Sequence, residues 1–143
     1  MKINRILIPL GVGAALAGCG SSSNTKEAAS AQPPARTVHV TLSDFEVASS
    51  DSFAKPGKVT FEITNRSATK HELVVLRTGK PAADLTHQSG ARASESGHMG
   101  EVGEVPPGRT ERLTLRLPPG HYSLICNFPG HYMDGMHADL RVV

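Results

Sequence analysis

From position 37 onward, apolar residues recur at every second position. Val38, Val40 and Leu42 alternate with Thr37, His39 and Thr41, and Val59, Phe61 and Ile63 repeat the pattern after the Pro56-Gly57 turn. A period of two belongs to a strand with one face on a core. Leu113, Leu115 and Leu117 alternate with Arg112, Thr114 and Arg116, between Pro-Pro-Gly turns at 106–108 and 118–120. Tyr122, Leu124 and Cys126 share one face of the next strand, and Ala138, Leu140 and Val142 one face of the last. His71–Arg77 differs, being almost continuously apolar in its middle, which predicts a central strand covered on both sides. Short, evenly spaced strands punctuated by Gly and Pro, with no convincing amphipathic helix, predict an all-β sandwich.

The stretch 79–100 breaks the pattern. It is small, polar and aperiodic, and is expected to form a long loop with one turn of helix around Pro81 to Leu85. The chain before position 37 is different again. Lys2 and Arg5 precede an apolar run from Ile6 to Ala15 that is too short to cross a bilayer, and Leu16-Ala17-Gly18-Cys19 closes it. Residues 1–18 are expected to be a secretory signal. The last four residues resemble a bacterial lipobox, which implies cleavage before Cys19, lipidation of that residue and stable anchoring to a membrane by several acyl chains. Residues 19–36, rich in Ser, Ala and Pro, are the expected tether. That leaves 37–143 as a single domain with one modest core.

Export changes how charge and cysteine are read. The full chain carries 15 basic and 13 acidic residues. Losing residues 1–18 removes Lys2 and Arg5 and no acidic group, so the mature count is 13 against 13 and nothing favours a nucleic acid as partner. There are two cysteines. With Cys19 lipidated, Cys126 has no intramolecular partner in a compartment that permits disulfides, and metal ligation is a good reason for its presence.

The segment Gly120–Val143 holds that reason. Cys126, His131 and Met136 are each separated by four residues, and a thiolate, an imidazole and a weak thioether on one loop make the ligand set of a mononuclear copper site needing one more imidazole. Parity puts Cys126 and Met136 on inward faces, and Pro129, Gly130 and Gly135 supply the bends that bring His131 beside Cys126. His71, opening the central strand after a polar loop, is the best remaining imidazole. His39 and His121 have outward parity, His87 lies in the aperiodic stretch, and the pair His98-Met99 is the rival. Met133 is the alternative axial ligand, but its two-residue spacing from His131 would strain the loop.

The sequence CNFPGHYMDGM, preceded by HYSLI and followed by HADLRVV, resembles the copper loop of the cupredoxins, or blue copper proteins. The Cys-x4-His-x4-Met spacing is similar to that of the rusticyanin and auracyanin branch, and the C-x-F-P-G-H core is shared with azurin. Lys-His-Glu-Leu-Val-Val-Leu resembles the family's segment carrying the first histidine ligand. The resemblance implies a Greek-key β-sandwich holding one type 1 copper on His71, Cys126, His131 and Met136. It implies one-electron transfer with His131 as the exposed edge, a Phe128 N–H bonded to the Cys126 sulfur, and a fairly positive potential. Glu72, where azurin has Asn, departs from the family. Redox partners are expected to dock on an apolar rim of Phe128, Pro129, Tyr132 and Met133, with the domain facing the periplasm or the cell exterior.

Other chemistries fit less well. A copper carrier or resistance lipoprotein would use the same loop and stands as the alternative. A zinc site lacks a cysteine pair, and Met is a poor zinc ligand. A thiol enzyme on Cys126 and His131 would need an oxyanion site and an orienting group, neither of which is recognisable. No catalytic turnover is expected.

Overall fold

A computed structural model describes residues 34–143; the expected signal, Cys19 and most of the tether lie outside the described residues. In chain order the strands are β1 (Thr37–Ser43), β2 (Glu46–Ser49), β3 (Phe53–Ala54), β4 (Gly57–Asn65), β5 (His71–Arg77), β6 (His87–Gln88), β7 (Arg92–Ala93), β8 (His98–Val105), β9 (Thr110–Leu117), β10 (Gly120–Ile125) and β11 (His137–Val142). One sheet is ordered β2-β1-β4-β9 and the other β3-β11-β10-β5-β8, while β6 and β7 form a hairpin of their own. Pairing is antiparallel except for β1 with β4 and β3 with β11. Before β1, Ala35 bridges Ala54 of β3 in the second sheet, and the Arg36 carbonyl accepts the Thr60 N–H of β4 in the first.

The period-two pattern lands where its parity puts it. Val38, Val40 and Leu42 from β1 and Val59, Phe61 and Ile63 from β4 pack against Tyr122, Leu124, Leu140 and Val142 of the facing sheet. Each buried side chain of this kind contributes about 1.5–3 kcal/mol relative to exposure. Strand β5 is central, between β10 and β8, and buried on both faces. Leu73 and Val75 enter the main core, while Val74 and Leu76 enter a second cluster with Leu85, Ala93, Ile125 and Tyr132. The stretch 79–100 is thus the cover of the outer face of β5 and β10, and its few apolar residues are the ones that make the cover.

A 3-10 turn at Ala82–Asp84 follows Pro81, in the place where a helical turn was expected. The β6–β7 hairpin differs from the expectation of a loop, and so does strand β8. That strand borders β5 with register shifts at two points, so its inward residues Met99, Val102 and Val105 do not alternate cleanly.

Candidate metal centre

The site forms where β5 begins and β10 ends. The turn into β5 is built on Asn65, which is fully buried and donates from Nδ2 to the Thr69 and Val105 carbonyls at 2.7 and 2.8 Å. That fixes the loop carrying Thr69, whose hydroxyl lies 3.3 Å from Nε2 of His71. With Nε2 so occupied, Nδ1 of the buried His71 ring faces the pole of the sandwich.

The other ligands come from a loop that closes on itself. Cys126 N–H donates to the Met136 carbonyl, Met136 N–H to the His131 carbonyl and His131 N–H to the Phe128 carbonyl, at 3.1, 3.1 and 2.9 Å. The bends need left-handed backbone at Gly130 (φ 88°) and Gly135 (φ 111°), a conformation that glycine adopts without steric cost. Met136 is fully buried at the same pole and packs in the core cluster that holds Cys126.

Three donor atoms converge. His71 Nδ1 lies 3.2 Å from His131 Nδ1, and the Cys126 sulfur lies 3.7 Å from the first and 3.4 Å from the second. A triangle with those sides has its centre about 2.0 Å from each corner, which matches metal bonds to imidazole nitrogen and thiolate sulfur of roughly 2.0–2.3 Å. The donor set, two imidazoles and one thiolate with a thioether beside them, suits copper. A second His and carboxylate group, Glu95, His98 and Glu101, lies at the surface away from the triangle.

Burial dominates the electrostatics. It pushes the Cys126 thiol above its ordinary value, while the backbone amides of Glu72 and Phe128, both bonded to the sulfur, act in the opposite sense. The Phe128 amide is the one the family resemblance implies, and the Glu72 amide is a second that it does not. Burial lowers His71, helped by nearby His131, with Asp44 opposing. Burial raises the Glu72 carboxyl, whose Oε1 accepts the Asn127 N–H at 2.9 Å. Glu72 therefore ties the start of β5 to the residue after Cys126.

The remaining candidates sit elsewhere. His39 pairs with Glu62, His98 with Glu101, and His121 with Asp139, all away from the triangle. Met133 is 47% exposed. Tyr132 corrects the expected rim: it is buried in the second cluster, where its hydroxyl donates to the Ala82 carbonyl and accepts the Leu85 N–H. The sequence reading also missed Asn127 and Arg92. An amide side chain directly after Cys126 was the signal the sequence carried for Asn127.

No family model and no curated protein sequence matches the chain. Solved structures do match it. Auracyanin from the photosynthetic bacterium Roseiflexus castenholzii is 21% identical, covering 78% of this chain and 99% of its own, with a TM-score of 0.60. Auracyanin A, a blue copper protein from Chloroflexus aurantiacus, is 22% identical over 78% of this chain and 100% of its own, at 0.55. Rusticyanin from Thiobacillus ferrooxidans is 21% identical over 76% and 79%, at 0.50. The chain has the cupredoxin fold, an all-β Greek-key sandwich. Within it, His71, Cys126, His131 and Met136 fit one type 1 copper.

Proposed function

We propose that the protein is a membrane-anchored type 1 copper protein that carries single electrons between redox partners outside the cytoplasm, without catalytic turnover of its own. The observation that carries this reading is the triangle of His71, Cys126 and His131, its first two corners buried, at one pole of a cupredoxin sandwich. Copper, when bound, supplies a one-electron cycle between its two oxidation states.

The chain's own residues do the rest. The sandwich fixes Cys126 through the Met136 carbonyl, and two backbone amides bond its sulfur. Thr69 orients His71, and core packing keeps water from its ring. His131 is the one nitrogen ligand with access to solvent. Its ring meets Phe128 edge-on at 5.7 Å and borders a shallow cleft with Thr69, Lys70, Glu104 and Pro129. Donor atoms already set around a common centre favour electron exchange over metal delivery, because little has to move between oxidation states.

Anchoring and docking belong to the same proposal. The lipobox-like sequence at 16–19 supports lipid on Cys19 and a place on a bacterial membrane, with the domain in the periplasm or at the cell exterior. Partners dock beside His131 on Phe128, Pro129 and Met133, which remain at the surface once Tyr132 is buried.

The test is the visible spectrum of the Cu(II)-loaded protein beside its Cys126→Ser variant. An intense thiolate-to-copper band that vanishes in the variant, followed by a reversible one-electron titration, is the expected result. Weak d–d absorption alone, or copper reduced and colourless, would sink electron transfer and leave a copper carrier.

A further inference from the structure

Asn127 immediately follows Cys126, is 1% exposed, and lies just past the last residue of β10. An asparagine brings five hydrogen-bonding positions: its backbone N–H and C=O, its side-chain oxygen and two amide hydrogens. All five are used. The backbone N–H donates to Glu72 Oε1 at 2.9 Å. The backbone carbonyl accepts from Arg92 Nη1 at 2.7 Å. Oδ1 accepts the Ala93 N–H at 2.7 Å, and Nδ2 donates to the Ala93 carbonyl at 3.0 Å and to Glu95 Oε1 at 2.8 Å.

Four of those five bonds go to the segment 92–95, which belongs neither to the ligand loop nor to the two sheets of the sandwich. The same hairpin holds the loop at a second point, where Gly130 N–H donates to the Ala91 carbonyl at 2.8 Å. The two points of attachment are the residue after Cys126 and the residue before His131. A hairpin that fixes both therefore fixes the separation of the two ligands on either side of them. Residue chemistry makes the grip specific: Asp in place of Asn127 would present an acceptor to the Ala93 carbonyl and to the Glu95 carboxylate where donors are needed.

We propose that the β6–β7 hairpin is the positioning element of the metal centre, and that Asn127, with Arg92 as its partner, is the positioning residue through which it acts. The proposal rests on the copper reading for its spectroscopic consequence but not for its structural one. Groups that orient metal ligands from behind are commonly worth about ten- to a hundredfold in metal affinity.

The experiment uses the full chain in two states. Amide hydrogen exchange on the metal-free protein compares residues 126–131 with the β4 and β9 amides of the far sheet. Chelator competition and the thiolate–Cu(II) band report on the loaded protein. In Asn127→Ala, exchange at 126–131 should quicken about tenfold or more while the far sheet stays unchanged. Cu(II) affinity should fall about tenfold or more, and the band should lose intensity or shift. Arg92→Ala should show the same pattern more weakly, and Arg92→Lys, which keeps a charged donor, should return toward the wild type.

Equal acceleration at 126–131 and in the far sheet with an unchanged band would make Asn127 a merely structural residue and overturn the proposal. So would unaltered exchange at 126–131. If Asn127→Ala does not fold, Arg92→Ala decides by the same criteria. A wild-type chain without a thiolate band would refute the copper reading alone, and the exchange comparison in metal-free protein would still decide the hairpin's role.

Discussion

Nδ1 of His71 lies 3.2 Å from Nδ1 of His131, although sixty residues separate the two in the chain. Both nitrogens also face the Cys126 sulfur, and the protonation of the donors without metal follows from the direction of two shifts. The Cys126 thiol is held above its ordinary value of 9.0 and is protonated at neutral pH; His71 is held below 6.5 and is neutral there. Binding of Zn2+, a redox-inert probe of the same donors, should release about one proton at pH 7, with affinity rising about tenfold per pH unit. Calorimetry in buffers of different ionisation enthalpy counts the proton. No release would mean that the thiolate already exists without metal.

Glu72 predicts a pH dependence of stability. Its folded-state value is raised by burial, so between the ordinary carboxyl value and the raised one the folded chain holds a proton that the unfolded chain has lost. The metal-free protein should therefore lose stability as pH rises through that window, the contribution being fully present below it. Glu72→Gln keeps an acceptor for the Asn127 N–H and should flatten the slope, leaving the variant the more stable at pH 7. Urea titrations of both proteins from pH 4 to 8 measure it, and parallel curves would refute the assignment.

Gly97 should not tolerate a side chain. Its φ is +84°, and a Cβ there would fall 2.1 Å from the carbonyl oxygen of Arg77, a residue whose N–H donates to the Gly97 carbonyl at 2.7 Å. Gly97→Ala should cost at least about 2 kcal/mol, or roughly 10 °C in Tm. Gly103→Ala, whose Cβ would meet only the Glu101 carboxylate at 3.8 Å, is the control and should be near neutral. Equal melting of the two variants would contradict the packing.

Tyr132→Phe removes a hydroxyl that serves both the Ala82 carbonyl and the Leu85 N–H. Both partners would be left without that bond in a buried setting, at a cost of about 1–3 kcal/mol. Tyr132 as a surface docking residue would instead give a variant of wild-type stability, so thermal unfolding separates the two roles.

The strands were legible wherever one face of a strand meets the core, because burial then selects every second residue. Val38 to Leu42 and Val59 to Ile63 are such cases, and the same parity put Cys126 and Met136 at one pole. Strand β8 escaped because its bulges spoil the period and much of its length is exposed. The hairpin escaped for another reason: its attachment runs through backbone groups and the polar side chains of Asn127, Arg92 and Glu95, which carry no hydropathy signal. Tyr132 was misplaced because its partners Leu85 and Ala93 lie in a stretch without period, so nothing local showed that its neighbourhood would be covered.

The long chain separation of the ligands, with two parallel strand pairings, also fixes when the centre can exist. Contacts that close long loops form only after their entropy has been met by the surrounding structure, and topologies rich in them fold slowly. His71 cannot meet Cys126 until β5 has paired with β10, and the loop carrying His131 gains its outer anchor at Gly130 only when the hairpin has docked. The centre is therefore a late product of folding, and a bound ion would act chiefly by slowing the chain's unfolding while leaving its folding rate unchanged. Metal occupancy in this protein is a report that the whole sandwich has closed.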